Sequence, residues 1–538
     1  MTTTLLRTTW ARFCTNLRDP LLRRNVAFYM GGKLLGLALV FVGMWVVLPN
    51  VVHAATHSTT VDMPQINAVN TVWTLVAAFL VFCMQVGFVM LEAGFARSRE
   101  SVNILVEGIA DTCICGVLFW AWGFAFMFEP GTPWIGTHGF FLQGLGPTYM
   151  ATGIPLMAFW VFQFAFADTA STITSGAMIG RCGFWGDILY SIGVTGFIYP
   201  IIGHWTWGPD GWLAALNFKD FAGSTVVHSI GGAISLAGAI ALGPRLGRIF
   251  KRDGGGPPPA HDLVIGAVGG LILWFGWYGF NPGSTLSALD TIGIGRVSFN
   301  TTLAACSAGL TALFYSYIRS KNKTWDLGLT VNGFLGGLVA ITCPCYWVDP
   351  VGAFFIGVVA ALVVVWGLDA LEYLRIDDPI GAVPVHLVAG IWGTLSLGLF
   401  AAGAYGAPTA TGPDTSSVVR GLFYGGGTSQ LVTQAIGSSV TVVATLGVSL
   451  LMMFALKYVG VLRVSKEGEL EGLDLQEHGA TAYPEYALAG VGLLSTGQNG
   501  NGNGNGNNHH NGHRPIGTQP ALAGEELTGT NLAEEVNT

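Results

Sequence analysis

Residues 220–229 read DFAGSTVVHS, and residues 377–386 read DDPIGAVPVH. Each stretch sets a histidine eight residues after an aspartate, Asp220 before His228 and Asp378 before His386, within apolar sequence. Each histidine follows a valine and precedes a glycine by four residues, at Gly232 and Gly390. Eight helical residues rise about 12 Å, and the hydrocarbon core of a bilayer is about 30 Å thick. An aspartate at the interface therefore leaves its histidine near the midplane. If the two segments enter from opposite sides, the imidazoles meet.

The rest of the chain says that such a membrane exists. Of 538 residues, 51% are apolar and only 10% are charged, and the mean hydropathy is +0.54. A soluble chain of this length needs more charge to cover its surface, so the composition is that of an all-α polytopic membrane protein. The net charge of −7 describes no acidic or basic partner surface, and no nucleic-acid partner is expected. Apolar stretches of spanning length centre on 71–91, 104–128, 153–177, 187–207, 221–243, 262–281, 296–318, 327–342, 349–371, 383–404 and 432–460. With the first span starting outside, fourteen Lys and Arg fall on the inner side and three, Lys219, Arg296 and Arg420, on the outer. The positive-inside rule then puts the C-terminus in the cytoplasm. Residues 1–54, basic and then apolar, read as a signal peptide cleaved after Ala54. The alternative is an uncleaved twelfth helix, and both place residue 65 outside. The eleven-helix domain covers 65–460 and a cytoplasmic segment 461–486. The Gly/Asn-rich tail 487–538 cannot bury a core and is expected to be disordered.

Eleven spans divide into five, five and one. Because five is odd, the second set enters the membrane inverted relative to the first. The aspartate–histidine pairs then head the fifth and tenth spans, at matched places of an inverted repeat. One histidine in an apolar helix is usually a packing residue. Two at matched positions point to a functional pair, and two neutral rings can share one N–H between facing nitrogens.

Those stretches, with FLVFCMQVGFVMLEAGF (79–95), GWYGFNPGS (276–284) and EGLDLQEHGATAY (471–483), resemble the ammonium transporter family (Amt/Mep/Rh) on its Amt side, over about residues 67–486. The resemblance implies the same eleven-helix inverted-repeat fold, a homotrimer with one pore per subunit, and ammonium or ammonia as substrate with methylammonium as analogue. It implies a PII-type regulatory protein at the cytoplasmic face. By position, Trp207, Ser284 and Phe166 match an outer vestibule, with Asp220 in support. Phe166 and Phe280 match a stacked gate. His228 and His386 match the pore pair, with Trp277 and Thr342 near the pore wall. The threonine that acts as a phosphorylation switch in some relatives corresponds to Gln476.

Physical chemistry supports these roles. A tryptophan face attracts a small cation and a serine hydroxyl accepts its N–H, although tryptophan at a span end is also an ordinary interfacial anchor. Asp220 at a helix start is expected to cap backbone N–H groups rather than ligate the cation. Phe166 and Phe280 read as core aromatics by composition; as a gate they would exclude hydrated ions. The histidines are expected to be the only polar groups inside the pore. Asp168, Glu107 and Asp111 are intramembrane carboxylates without an assigned role beyond structural contact. Gly180 precedes Arg181 where relatives often carry an acid, and Gly381 stands where a second aspartate is common. An ammonium sensor and a neutral-gas channel of the Rh type are the competing readings. An enzyme reading fails because no cysteine or carboxylate near the histidines has metal or nucleophile spacing. No cofactor and no metal are called for.

Overall fold

Five helices begin at an Asn or Asp whose side chain accepts a backbone N–H of the first turn: Asn67, Asp262, Asp290, Asp326 and Asp349. Such caps satisfy donors that a helix end would otherwise bury. In the computed structural model, which describes residues 67–149, 153–409, 412–414 and 418–484, ten helices are long and apolar enough to span a membrane and an eleventh is shorter. In chain order they are α1 (Ala68–Phe95), α2 (Ser98–Phe128), α3 (Leu156–Gly176), α4 (Phe184–Ala215), α5 (Ser224–Leu242), α6 (Leu263–Thr285), α7 (Thr291–Arg319), α8 (Leu327–Thr342), α9 (Pro350–Leu374), α10 (Val383–Phe400) and α11 (Ser429–Val459). Residues 1–54, expected to be a signal peptide, and the tail 487–538 lie outside the described residues.

The short helix α8 would rise only about 24 Å, less than a bilayer core. It ends at Thr342 and continues as turns to Val348. That irregular backbone is satisfied internally: Ala222 and Phe221 donate their N–H groups to the Thr342 and Cys343 carbonyls, both at 3.2 Å. Non-helical chain at membrane depth survives only where protein supplies such partners.

The inverted repeat is visible at its two equivalent helix starts. Asp220 accepts from the N–H groups of Gly223, Ser224, Thr225 and Val226 at 2.8–3.0 Å. Asp378 accepts from Gly381, Ala382 and Val383 at 2.8–3.1 Å. The third residue after each aspartate is a glycine with positive φ, +116° at Gly223 and +85° at Gly381, a conformation costly for any residue with a Cβ. Gly381 thus has a backbone reason to be glycine where an aspartate was expected. A wide i→i+5 turn follows in both, over Ser224–Ser229 and Val383–Val388, and each contains its histidine. Such π-turns concentrate at functional sites.

The two helices cross at the glycines four residues beyond the histidines. A Cβ on Gly232 would lie 2.4 Å from Leu387 N, and one on Gly390 would lie 2.5 Å from the Ser224 carbonyl oxygen. Only bare backbone permits this approach, which brings the two imidazoles together. The first helices of each repeat, α1 and α6, pack as tightly: a Cβ on Gly94 would lie 2.3 Å from Gly266 N. Small residues at such crossings let transmembrane helices associate without help from the hydrophobic effect.

After α11 come α12 (Lys466–Glu471) and α13 (Leu473–His478). They dock on loops between the spanning helices of the same chain. Glu469 accepts from Leu246 N at 2.6 Å and pairs with Arg463 at 2.8 Å, and Asp474 accepts from Asn103 N at 2.9 Å. Arg181 has no carboxylate in its hydrogen-bonding shell; it donates to the backbone carbonyls of Gly243, Ile179 and Asp377. Asp377 pairs instead with Arg245, bidentate at 2.8 and 2.9 Å, and with Arg248 at 3.2 Å. Buried though it is, Asp377 is held well below the ordinary carboxylate range by its hydrogen bonds and charge pairing with Arg245 and by nearby Arg181.

Candidate functional site

Starting from the Asp220 end, the first feature is a cavity of about 140 Å³ lined by Trp207, Ser284, Phe166, Gln163, Tyr149 and further aromatic side chains. Trp207 is fixed by its indole N–H, which donates to the Asp220 carbonyl oxygen at 2.8 Å. The Ser284 hydroxyl donates to the Phe280 carbonyl at 2.7 Å, so its lone pairs remain available to an N–H donor. Asp220 itself is buried and its carboxylate is occupied by four backbone N–H groups. Burial raises its pKa and the four donors act in the opposite sense. The aspartate therefore organises the backbone beside the cavity and orients Trp207 without lining it.

Phe166 lines the cavity and leads on to Phe280. Its ring lies 4.1 Å from that of Phe280 at an interplanar angle of 18°, a stacked pair, and 6.1 Å from Trp207 in an edge contact. Both phenylalanines are essentially fully buried. Next in line is His228, whose ring centroid is 5.4 Å from Phe280 and 5.2 Å from Trp277. Trp277 donates its indole N–H to Thr342 Oγ1 at 2.9 Å, which braces the aromatic wall against the end of α8.

His228 Nδ1 and His386 Nδ1 are 3.2 Å apart, with ring centroids 5.3 Å apart and planes within 20°. One nitrogen of that contact must carry hydrogen and the other must accept it. His228 Nε2 is buried without a protein partner, so the pair keeps an unused polar nitrogen beside the aromatic wall. His386 lines a second, smaller cavity of about 20 Å³ together with Glu92, Asn332, Phe88 and Leu91. This corrects the expectation that the histidines are the only polar groups in the pore. Glu92 lies in an apolar-looking α1, and the cavity that α1 lines together with α8 and α10, not the local sequence, puts it beside His386.

Gln163 and Tyr149 were not singled out from the sequence. Gln163 lies one residue after Phe162 and three before Phe166, so an amide so close to a gate aromatic was the available signal. The other intramembrane carboxylates sit away from this line. Asp168 accepts from Thr112 at 3.1 Å, Asp111 from Ser191, and Asp187 from Tyr190. Glu107 is buried beside them. No group of three or more metal-binding side chains occurs among the described residues.

Comparison with known proteins identifies the assembly. The model of the Ammonium Transporter Family matches residues 72–483. Ammonium transporter Amt2 of Archaeoglobus fulgidus is 42% identical over 434 residues, covering 78% of this chain and 89% of that protein. Ammonium transporter 3 of Dictyostelium discoideum is 36% identical over 423 residues, covering 77% and 94%. Among solved structures, one named Sensor Amt Protein superposes with a TM-score of 0.68 at 37% identity, over 76% of this chain and 98% of that one. Mep2 of Saccharomyces cerevisiae superposes with 0.69 at 27% identity, over 76% and 90%. With this coverage, the chain is a multi-pass membrane protein that belongs to the ammonium transporter family, a family of transporters and not of enzymes.

Proposed function

We propose that the chain takes up ammonium across the cytoplasmic membrane by selecting the cation outside, removing its proton near the gate, and conducting ammonia past the histidine pair. The observation that carries this reading is the buried His228–His386 contact directly behind the stacked Phe166–Phe280 gate. A bare cation pays about 3 kcal/mol or more to sit at membrane depth on a helix. Potassium cannot escape that cost, whereas ammonium can by giving up a proton. Trp207 and Ser284 supply the outer selection, one by cation–π attraction and one by accepting a hydrogen bond. His228 and His386 offer ammonia hydrogen-bond partners in a channel that has few others.

On this reading the vestibule faces outside and α12–α13 face the cytoplasm. The subunit works in a homotrimer, a PII-type protein binds the cytoplasmic face, and methylammonium is an alternative substrate. Transport is electrogenic if the proton crosses separately, and neutral if it stays outside. An ammonium-evoked current across a reconstituted bilayer supports the electrogenic form. Ammonia flux persisting without current refutes that form. The family also contains the neighbour named as a sensor; measurable net flux separates the transporter from a chain that only binds.

A further inference from the structure

The small cavity behind His386 has about 20 Å³ for a guest, enough for one water-sized molecule, and ammonia is of that size. Its polar lining is supplied by three side chains, His386, Glu92 and Asn332. His386 commits Nδ1 to His228. Asn332 donates its Nδ2 to the Ile380 carbonyl at 3.1 Å, which leaves its carbonyl oxygen as an acceptor.

Glu92 is the unusual member. It is 3% exposed, and no ion pair among the described residues includes it. Its side-chain contact is with Ser175, whose hydroxyl oxygen lies 3.2 and 3.3 Å from the two carboxyl oxygens. The same hydroxyl lies closer, 2.8 Å, to the Thr172 carbonyl. A serine hydroxyl has one hydrogen. Spent on Thr172, it leaves the contact with Glu92 to be completed by a hydrogen from the carboxyl group. A neutral, proton-bearing Glu92 at the exit of the histidine pair fits both the geometry and the missing counter-ion.

We propose that Glu92 is the inner proton donor for the transported nitrogen, a reading that rests on ammonia passing the histidine pair. As ammonia enters the cavity, the carboxyl O–H bond breaks and an N–H bond forms, giving a carboxylate and ammonium. The Asn332 carbonyl accepts one N–H of the cation. The ammonium leaves to the cytoplasm and the carboxylate takes a replacement proton from hydronium on that side. Placed so, the group commits the nitrogen to the inner side, because the cation it forms cannot return through the apolar gate.

The test uses the full-length protein in sealed liposomes. For Glu92→Gln the maximum rate of ammonium uptake falls by about a hundredfold, while the half-saturating concentration, set at the intact vestibule, stays put. Glu92→Asp recovers part of the rate. In the infrared difference spectrum, ammonium removes a protonated-carboxyl band from the wild type, and E92Q lacks that change. An E92Q protein with the wild-type maximum rate overturns the proposal. So does a wild type without an ammonium-sensitive carboxyl band, a result that decides the matter even if E92Q is not recovered folded. A wild type that conducts no ammonium at all removes the conduction reading and this proposal with it.

Discussion

Adding one methyl group at Gly232 should disable the pore without touching either histidine. A Cβ there would lie 2.4 Å from Leu387 N and 2.8 Å from Leu387 Cβ, whereas carbon contacts are comfortable only beyond about 3.5 Å. The shortfall of about 1 Å has to be met by moving α10 away from α5, since both partners are backbone or the first side-chain atom. The Nδ1–Nδ1 separation of 3.2 Å then exceeds 4 Å, roughly an ångström past the usual hydrogen-bond range. Overpacking of this kind costs about 1–3 kcal/mol in stability, and a misplacement of about 1 Å at a reacting centre costs about a hundredfold in rate. G232A should therefore remain foldable, melt at a lower temperature and lose most methylammonium uptake. G390A, whose Cβ would meet the Ser224 carbonyl at 2.5 Å, should behave alike. Because both press on one crossing, the double variant should lose less stability than the sum of the singles. Initial uptake rates and thermal unfolding of the purified proteins provide the check. A folded G232A with wild-type uptake would refute the idea that glycine contact sets the histidine spacing.

Trp207→Leu removes a cation–π contact worth about 0.5–2 kcal/mol, so the half-saturating ammonium concentration should rise by about two- to thirtyfold in uptake assays. Phe280→Ala removes one ring of the stacked pair; if that pair is a gate, potassium should carry a measurable current in bilayer recordings of the variant and none in the wild type. Asp377→Asn breaks the buried pair with Arg245 and should cost about 3–5 kcal/mol in unfolding experiments. The same residue sets an acid limit. Its folded pKa is held below the ordinary 3.8, so its stabilisation is complete above that pH and is lost as the pH falls below it; D377N should lack this part of the acid sensitivity.

The sequence made some features easy to read and hid others for definite reasons. Asp220, His228, Asp378 and His386 stand out because polar residues in apolar spans are few, and their common spacing exposes the repeat. Phe166, Phe280 and Trp277 did not stand out, since 12% of the chain is aromatic and stacking depends on which helices cross; only the family resemblance marked them. Gln163 escaped although its place beside Phe162 and Phe166 was a signal, and Glu92 escaped because its neighbours along the chain say nothing about the cavity it lines. The wide turns that hold the histidines escaped as well. They follow from an aspartate that gathers three or four consecutive N–H groups and a glycine at positive φ, a three-dimensional arrangement with no periodicity to read. The split of Arg245 from Arg181 as the partner of Asp377 likewise depends on how two loops meet.

The central claim is that this chain moves the nitrogen of ammonium through the pore containing His228 and His386. The direct measurement is ammonium uptake in cells that lack other ammonium transporters, comparing the wild type with a His228→Ala, His386→Ala double variant present in the membrane at equal amount. The wild type should restore uptake and the double variant should alter its selectivity or abolish it. A correctly inserted wild type that restores nothing, or a double variant with unchanged flux and selectivity, would contradict the account.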